Sequence, residues 1–590
     1  MKRRNKFESE EKSVKKNMLK SCLSLLLTGA LAASMSACNG GESALPVGSS
    51  AADGGAAGTY TLPASGKYDP PIELTTVGQL APAITFKNNE SIEDNVHTRW
   101  AHDRFGIDIK YLWSSTTQND AFLTRMRLAL SADDELPDVV AIDNVQLAND
   151  LIDSGHFMMV SDLWEQTASD MYRKAISQDP TMWYPYMRDD GAYGLPIPQN
   201  SRNNDTIMYI RTDWLDKLHL EAPTTIDEME TVMDAFVNQD PDGNGQADTV
   251  GIAVNMLNGL KPSAPNPEAT PRFIFGAFGD LPCQWNVAED GTLTYGSIQP
   301  SAKETLGLLA DWMQKGYLHK EAGIHDQQKA DELFTSGKAG IIAGPLWMDR
   351  TPLKDVMKNV EGATFTSFKV PTGPDGKAGR DASPNYQGAI LINKDFDHPE
   401  AFMLYYNYLF DNFAKLKAGS EFEYGFAKDY DYTIKPDGSV SYDTNDIPGG
   451  RVIAQKYTLT YEGARMPAVL PDAVQDELDS LNWIEAGKEP RNGVERKDQL
   501  FNDELRYRGL HMNLDSSGYS RPNMFTGPPT ESMKAYRDTL DTMEQETYTK
   551  IIYGELPLDA FDTFVSDWKS GGGDQITKEV NDWYSIAVGK

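Results

Sequence analysis

Five residues between Asp240 and Asp248 have the spacing best suited to chemistry. In Asp240-Pro241-Asp242-Gly243-Asn244-Gly245-Gln246-Ala247-Asp248, oxygen-bearing side chains stand at positions 1, 3, 5 and 9, with glycine at 6. That spacing curls alternate side chains around one hard cation, and Gln246 adds a backbone carbonyl, as in the first part of an EF-hand loop. Position 12, where the full motif has a bidentate Glu, is Gly251. The alternative is an Asx/Gly-rich turn without metal. A structural rather than catalytic calcium ion is the reading preferred.

Catalytic constellations do not emerge. The chain has no G-x-S-x-G elbow, no H-E-x-x-H and no P-loop. His97 and His102 are five apart, off the i, i+4 spacing of a helical metal pair. With 87 Asp and Glu, a carboxylate pair for glycoside hydrolysis can always be imagined, so their presence decides nothing. Cys283 has no neighbouring His in sequence and reads as buried rather than nucleophilic. No enzyme is expected.

The elements that must position such residues show in the hydrophobic period. Short runs at Ile72–Val77, Ile107–Leu112 and Asp138–Ile142 read as strands, and the stretches 92–105 and 122–131 between them as helices. A second series begins near Thr206, with a strand at 207–210 and a helix at 211–218. Thr225 reads as an N-cap, with Glu228 at the capping-box position of a helix to Asn238. Buried strands are expected at 339–344 and 386–393. Alternation at this spacing argues for βαβ units in a largely parallel sheet.

The N-terminus reads as a targeting segment. Eight basic residues from Lys2 to Lys20 precede an apolar stretch from Cys22 to Met35 that is too short to span a bilayer. Met35-Ser36-Ala37-Cys38 resembles the bacterial lipobox, in which the cysteine is acylated, palmitate being one such acyl group, and becomes the mature N-terminus. Acylating Cys38 leaves Cys283 alone, so no intramolecular disulfide is possible. Removing residues 1–37 takes away eight basic and three acidic side chains, which deepens the net charge of −32 by five. Such acidity disfavours nucleic acid and anionic membrane as partners. The Gly/Ala/Ser-rich stretch that follows, 38–69, reads as a flexible tether.

Several stretches, in order, resemble one family. They are Gly191 to Pro196, Tyr209 to Leu218, Ala222 to Met229, Phe334 to Gly340, Trp568 to Thr577 and Glu579 to Tyr584. They are similar to the extracellular solute-binding proteins of ABC importers, in the large oligosaccharide-binding lipoprotein branch (family 1 type). The resemblance implies an α/β, two-lobe, periplasmic-binding-protein-like fold with a multi-crossing hinge (type II). Lobe one is then expected at 70–200 plus 386–524, and lobe two at 201–385 plus 525–590. The resemblance also implies calcium at a closely similar loop, whose position 10 is Thr249 here.

A sugar site needs flat aromatic faces and polar side chains for hydroxyls. Trp113, Trp285, Trp347 and Tyr386 stand at loop-like or strand-end places, as do Asp143 and Asn144 after a strand. Asn200, Ser201 and Arg202 lie in a polar loop near the first crossing. Trp214, Trp312, Trp568 and Trp583, on helices, are assigned to core. The expected protein is a monomer on the outer face of the cell membrane, held only by its lipid, binding an oligosaccharide and passing it to ABC permease subunits. The alternatives are a surface polysaccharide-degrading enzyme and a binding protein for peptides or other non-sugar solutes.

Overall fold

The computed structural model describes residues 59–589, apart from 83, 133, 262–268, 461–467, 494, 497–498 and 500–502. The signal-like segment, Cys38 and the tether as far as residue 58 lie outside the described residues. Everything described falls in one unit, Leu45–Lys590.

Lobe one starts from two parallel strands, β1 (Ile72–Leu80) and β2 (Ile107–Thr116). In β2, buried Ile107 and Ile109 alternate with Asp108 and Lys110, the period-two pattern of a strand with one covered face. The helix between them, Val96–Phe105, is opened by the Asn95 side chain and closed by Gly106 at φ 65°. A Cβ at Gly106 would lie 2.2 Å from the Tyr68 carbonyl oxygen, so only glycine fits that cap.

The lobe-one strands β3 (Val139–Ile142) and β4 (Leu195–Pro198) flank β9 (Tyr386–Ile392), which runs antiparallel to both. Asp138 joins β1 to β3: its carboxylate accepts from the Thr75 amide at 2.8 Å and the Thr75 hydroxyl at 2.7 Å. The Gln79 amide donates to the Ala141 carbonyl at 2.7 Å. The expectation of a largely parallel sheet is corrected here. β9 enters from the other lobe, after a crossing, and so runs against its neighbours.

Lobe two holds a four-stranded sheet in the order β8-β5-β7-β6, with β5 at Thr206–Arg211, β6 at Val250–Ala253, β7 at Ala339–Pro345 and β8 at Phe365–Phe368. Both faces are buried, and alternate residues sort between them. Met208, Ile210, Ile341 and Ala343 face the helices Ile226–Asn238, Pro300–Lys315 and Glu531–Ile552. Ile207, Tyr209, Ala339 and Ile342 face the helices Gln327–Thr335, Ala473–Glu485 and Glu504–Asp515. The Thr225/Glu228 capping box is formed as read from the sequence.

The chain passes between lobes at 199–205 and 383–385, and again between Leu470, in the lobe-one core, and Val474, in the lobe-two core. The helices between 473 and 515, assigned from sequence to lobe one, pack instead on lobe two. Val474, Leu478 and Leu481 form one helical stripe that covers the Ile207/Tyr209 face of the sheet. Among the described residues, no helix is long and apolar enough to cross a membrane.

Candidate functional site

The first two crossings lie side by side. The Gln199 amide nitrogen donates to the carbonyls of Tyr386 at 3.0 Å and Pro384 at 3.1 Å, and the Asn385 carbonyl accepts from the Gln199 backbone at 2.8 Å. Behind them the short strand Arg380–Ala382 is clamped by two buried ion pairs: Arg380 with Asp205 at 3.0 Å and Asp381 with Arg272 at 2.7 Å. Burial pushes the Asp205 carboxyl up, against the pull of Arg380. The Ser516 hydroxyl and the Asn513 and Thr206 carbonyls complete the shell around the fully buried Arg380 guanidinium, which a pair this deep requires.

Above this clamp is a cavity of about 110 Å³ between the lobes. Asp179, Thr181, Tyr184 and Tyr386 line it from lobe one, Arg202 and Asn385 from the crossings, and Asn523 and Thr526 from the segment before the helix Glu531–Ile552. A break in register between Tyr386 and Ala389 re-aims the first residue of β9 toward it. The Tyr386 ring meets Tyr186 edge to face, centroids 6.2 Å apart, and burial pushes both phenols above their usual range. The buried Tyr186 hydroxyl and Asn200 Oδ1 find no partner among the described residues. Buried polar atoms left so are costly unless water or a ligand completes them.

Of the residues singled out in the sequence, Ser201, Arg202 and Tyr386 line this cavity, and Asn200 stands in the same crossing. Asp143 lies close enough to Tyr186 to bias its phenol. Asn144 caps the helix Val145–Asp153, its Oδ1 accepting from the Leu147 amide at 2.8 Å, so that acceptor already serves the helix. Trp113 is half-buried on another part of lobe one, along a depression of about 820 Å³, with the Arg125 guanidinium 4.8 Å over its ring. Trp347 is half-buried in the turn after β7, against the lobe-two core.

Trp285 requires a correction: its ring is 4% exposed. The hairpin of Trp285–Val287 and Leu293–Tyr295 brings Tyr295 to 5.3 Å from Trp285, and Trp568 stacks on Tyr295 at 5.0 Å. The loop-like context placed it at the surface, but the hairpin buries it. The four aromatic residues therefore do not share one described cavity. Sequence reasoning missed Asn385, although it adjoins Tyr386, and Asn523, which no local pattern marks.

The acidic loop converges as its spacing implies. The Asp240 carboxylate accepts from the backbone of Asn244 and Gly245, both at 3.1 Å. The Asn244 amide donates to Asp242 at 2.7 Å and to Asp248 at 3.2 Å, while its own oxygen accepts from the Gln246 backbone at 2.7 Å. The Lys338 ammonium, 2.6 Å from Asp248, together with the Asn244 amide holds the Asp248 carboxyl below its usual range. Position 12 cannot contribute: Gly251 is inside β6, where a Cβ would lie 2.7 Å from Met233. Thr249 is turned inward, donating to the Phe236 carbonyl at 2.7 Å. The donors left are all oxygens, half-buried at Asp240 and Asp242 and exposed at Asn244, Gln246 and Asp248, which fits a hard cation.

Residues 87–415 match the family described as bacterial extracellular solute-binding protein. The polygalacturonan/rhamnogalacturonan-binding protein YtcQ of Bacillus subtilis is 25% identical over 477 residues, which cover 78% of this chain and 83% of that one. An HMO-binding, ABC-transporter-associated solute-binding protein from Bifidobacterium longum infantis superposes with a TM-score of 0.61 at 16% identity, over 88% of this chain and all of that one (100%). The alginate-binding protein AlgQ2, solved without calcium ion, superposes at 0.51 with 15% identity, over 88% of this chain and 99% of that one. At such identities the two structures speak for the two-lobe α/β fold alone. With more than half of its length matched and that fold in place, the chain belongs to the family of bacterial extracellular solute-binding proteins.

Proposed function

We propose that this protein captures an oligosaccharide between its lobes and delivers it to an ABC importer, while anchored to the outer face of the membrane by a lipid on Cys38. The cavity at the lobe crossings is the observation that carries this reading. Its wall offers what a pyranose asks for: an aromatic face at Tyr386, neutral hydrogen-bonding groups at Asn385, Asn523 and Thr181, and a cation at Arg202. Closure of the lobes around the sugar is the signal a permease senses. The polygalacturonan/rhamnogalacturonan-binding relative YtcQ supports the same ligand class.

Within this reading calcium is held by Asp240, Asp242, Asn244, Asp248 and the Gln246 carbonyl, as a structural ion away from the sugar. Asp143, Asn144, Trp113 and Trp347 extend the candidate sugar surface beyond the cavity. The deciding experiment is a thermal-shift screen with oligogalacturonides, fructo-oligosaccharides and milk oligosaccharides, followed by calorimetric titration of each hit. A native-state ligand raises the melting temperature by mass action, because it stabilises the fold by about 2.7 kcal/mol at a hundredfold excess over Kd. Release of reducing ends from any of these sugars, with no saturable binding, sinks the proposal in favour of an enzyme.

A further inference from the structure

A second cluster of metal-ligating side chains stands far from the acidic loop in sequence. His319, Glu321 and His325 occupy the connection between the helices Pro300–Lys315 and Gln327–Thr335. Two successive tight turns fold this connection: the Ala322 amide donates to the His319 carbonyl at 2.8 Å, and the His325 amide to the Ala322 carbonyl at 3.1 Å. They bring the two imidazoles together, with centroids 4.7 Å apart and planes inclined by 31°. One ligand atom from each of His319, Glu321 and His325 lies within 4.8 Å of the other two.

His325 gives the cluster its meaning. It is 3% exposed, and neither ring nitrogen has a hydrogen-bond partner among the described residues. A buried imidazole with both nitrogens unmatched is an expensive arrangement if nothing binds it. Its backbone is fixed, because the His325 carbonyl accepts from the amides of Met256 at 3.2 Å and Leu257 at 3.0 Å. Glu321 is exposed and His319 half-buried, so the cluster opens to solvent on one side. The His319 Nδ1 accepts from the Glu321 backbone at 3.1 Å, and coordination through that nitrogen exchanges this single bond for the metal.

We propose that His319, Glu321 and His325 form a binding site for one zinc-class divalent cation, distinct from the oxygen-lined loop at 240–248. Two imidazoles and one carboxylate are a borderline donor set, which zinc favours and calcium does not. Three protein ligands with a fourth position left to water match an open zinc site. A tetrahedral zinc with ligands at about 2.0–2.1 Å holds them roughly 3.3 Å apart, so the three groups draw in by at most about 1.5 Å on binding. The His325 carbonyl, through the Met256 and Leu257 amides, joins the 319–325 turn to the segment after β6. The parallel pairing of β6 with β7 places that segment at the end of the sheet where Trp347 emerges.

The test titrates the purified, calcium-saturated protein with zinc by calorimetry, with cobalt(II) absorption as a geometric readout. One equivalent of zinc is expected to bind and to raise the melting temperature, and cobalt is expected to give the intense visible bands of a tetrahedral site. His319→Ala and Glu321→Gln, both at accessible positions that leave the buried His325 in place, should each weaken zinc at least about tenfold, the lower end of what even outer-shell partners contribute. Asp242→Ala should leave zinc binding unchanged. The proposal is overturned if the unaltered protein takes up no zinc. It is equally overturned if His319→Ala and Glu321→Gln bind zinc as tightly as the parent, or if Asp242→Ala alone abolishes uptake. None of these readouts depends on a sugar.

Discussion

The Glu544 cluster inside lobe two and the cavity between the lobes both gather aromatic rings around buried polar groups, and they differ in completion. In lobe two, Glu544 is 3% exposed and accepts three hydrogen bonds, from Cys283 Sγ at 3.0 Å, the Ser297 hydroxyl at 2.7 Å and the Tyr295 hydroxyl at 2.9 Å. Burial, with the Glu544 carboxyl beside it, pushes the Cys283 thiol well up, so this cysteine is held inert. At the crossings, the Tyr186 hydroxyl and Asn200 oxygen have no such closure. A buried polar group whose partners are all protein is holding a fold together. One that is buried and unmatched lacks a partner that the described residues do not supply.

The largest effect expected from this contrast is at Glu544. Glu544→Ala leaves three buried donors without an acceptor, at about 1–3 kcal/mol each where no water enters, so about 3 kcal/mol or more of stability should be lost in chemical denaturation. A loss below about 1 kcal/mol would erase the distinction. Next comes the acidic loop, which is self-paired like the interior yet exposed like the cavity. Chelation should lower the melting temperature of the parent, by an amount equivalent to about 2.7 kcal/mol if calcium had stood at a hundred times its Kd. Asp242→Ala should melt at one temperature with or without chelator. A parent protein indifferent to chelator at every calcium level would reduce the loop to a turn.

Smaller still is the effect at the cavity. Tyr386→Ala should weaken oligosaccharide binding about tenfold in the folded fraction, which is about 1.4 kcal/mol. Trp285→Ala should instead lower stability and leave affinity intact, and the reverse result would exchange the roles of the two regions. The finest test uses pH and one helix, Glu531–Ile552. Against slight desolvation, donation from Ser532 and Thr530 at the start of that helix, and from Gln575 on the helix Asp574–Ala587 that carries Glu579, holds Glu579 down to about 2. Its stabilising share is present above the unfolded value near 4.5 and is lost as pH falls toward 2. Burial raises Glu544, further along the helix Glu531–Ile552, so its share has the opposite sign: it is present below 4.5 and lost as pH rises through the folded value. Glu579→Gln should flatten the acid limb of the stability curve, read as denaturation midpoint against pH, and an unchanged limb refutes the assignment.

What the chain determined by itself is local. The Thr225/Glu228 cap, the strands at 72, 107 and 339, and the converging oxygens of 240–248 depend on residues within about ten positions of one another, where dihedral preference and short hydrogen bonds act. The tertiary structure alone decided the environment of each side chain. Trp285 looks like a loop residue until Tyr295 and Trp568 cover it, and Cys283 meets Glu544 across 261 positions. Asp205 finds Arg380 across 175, and the helices 473–515 join lobe two because its sheet has a second face to bury. Burial and pairing are set by whatever long-range partner arrives, and no period in the sequence encodes that partner.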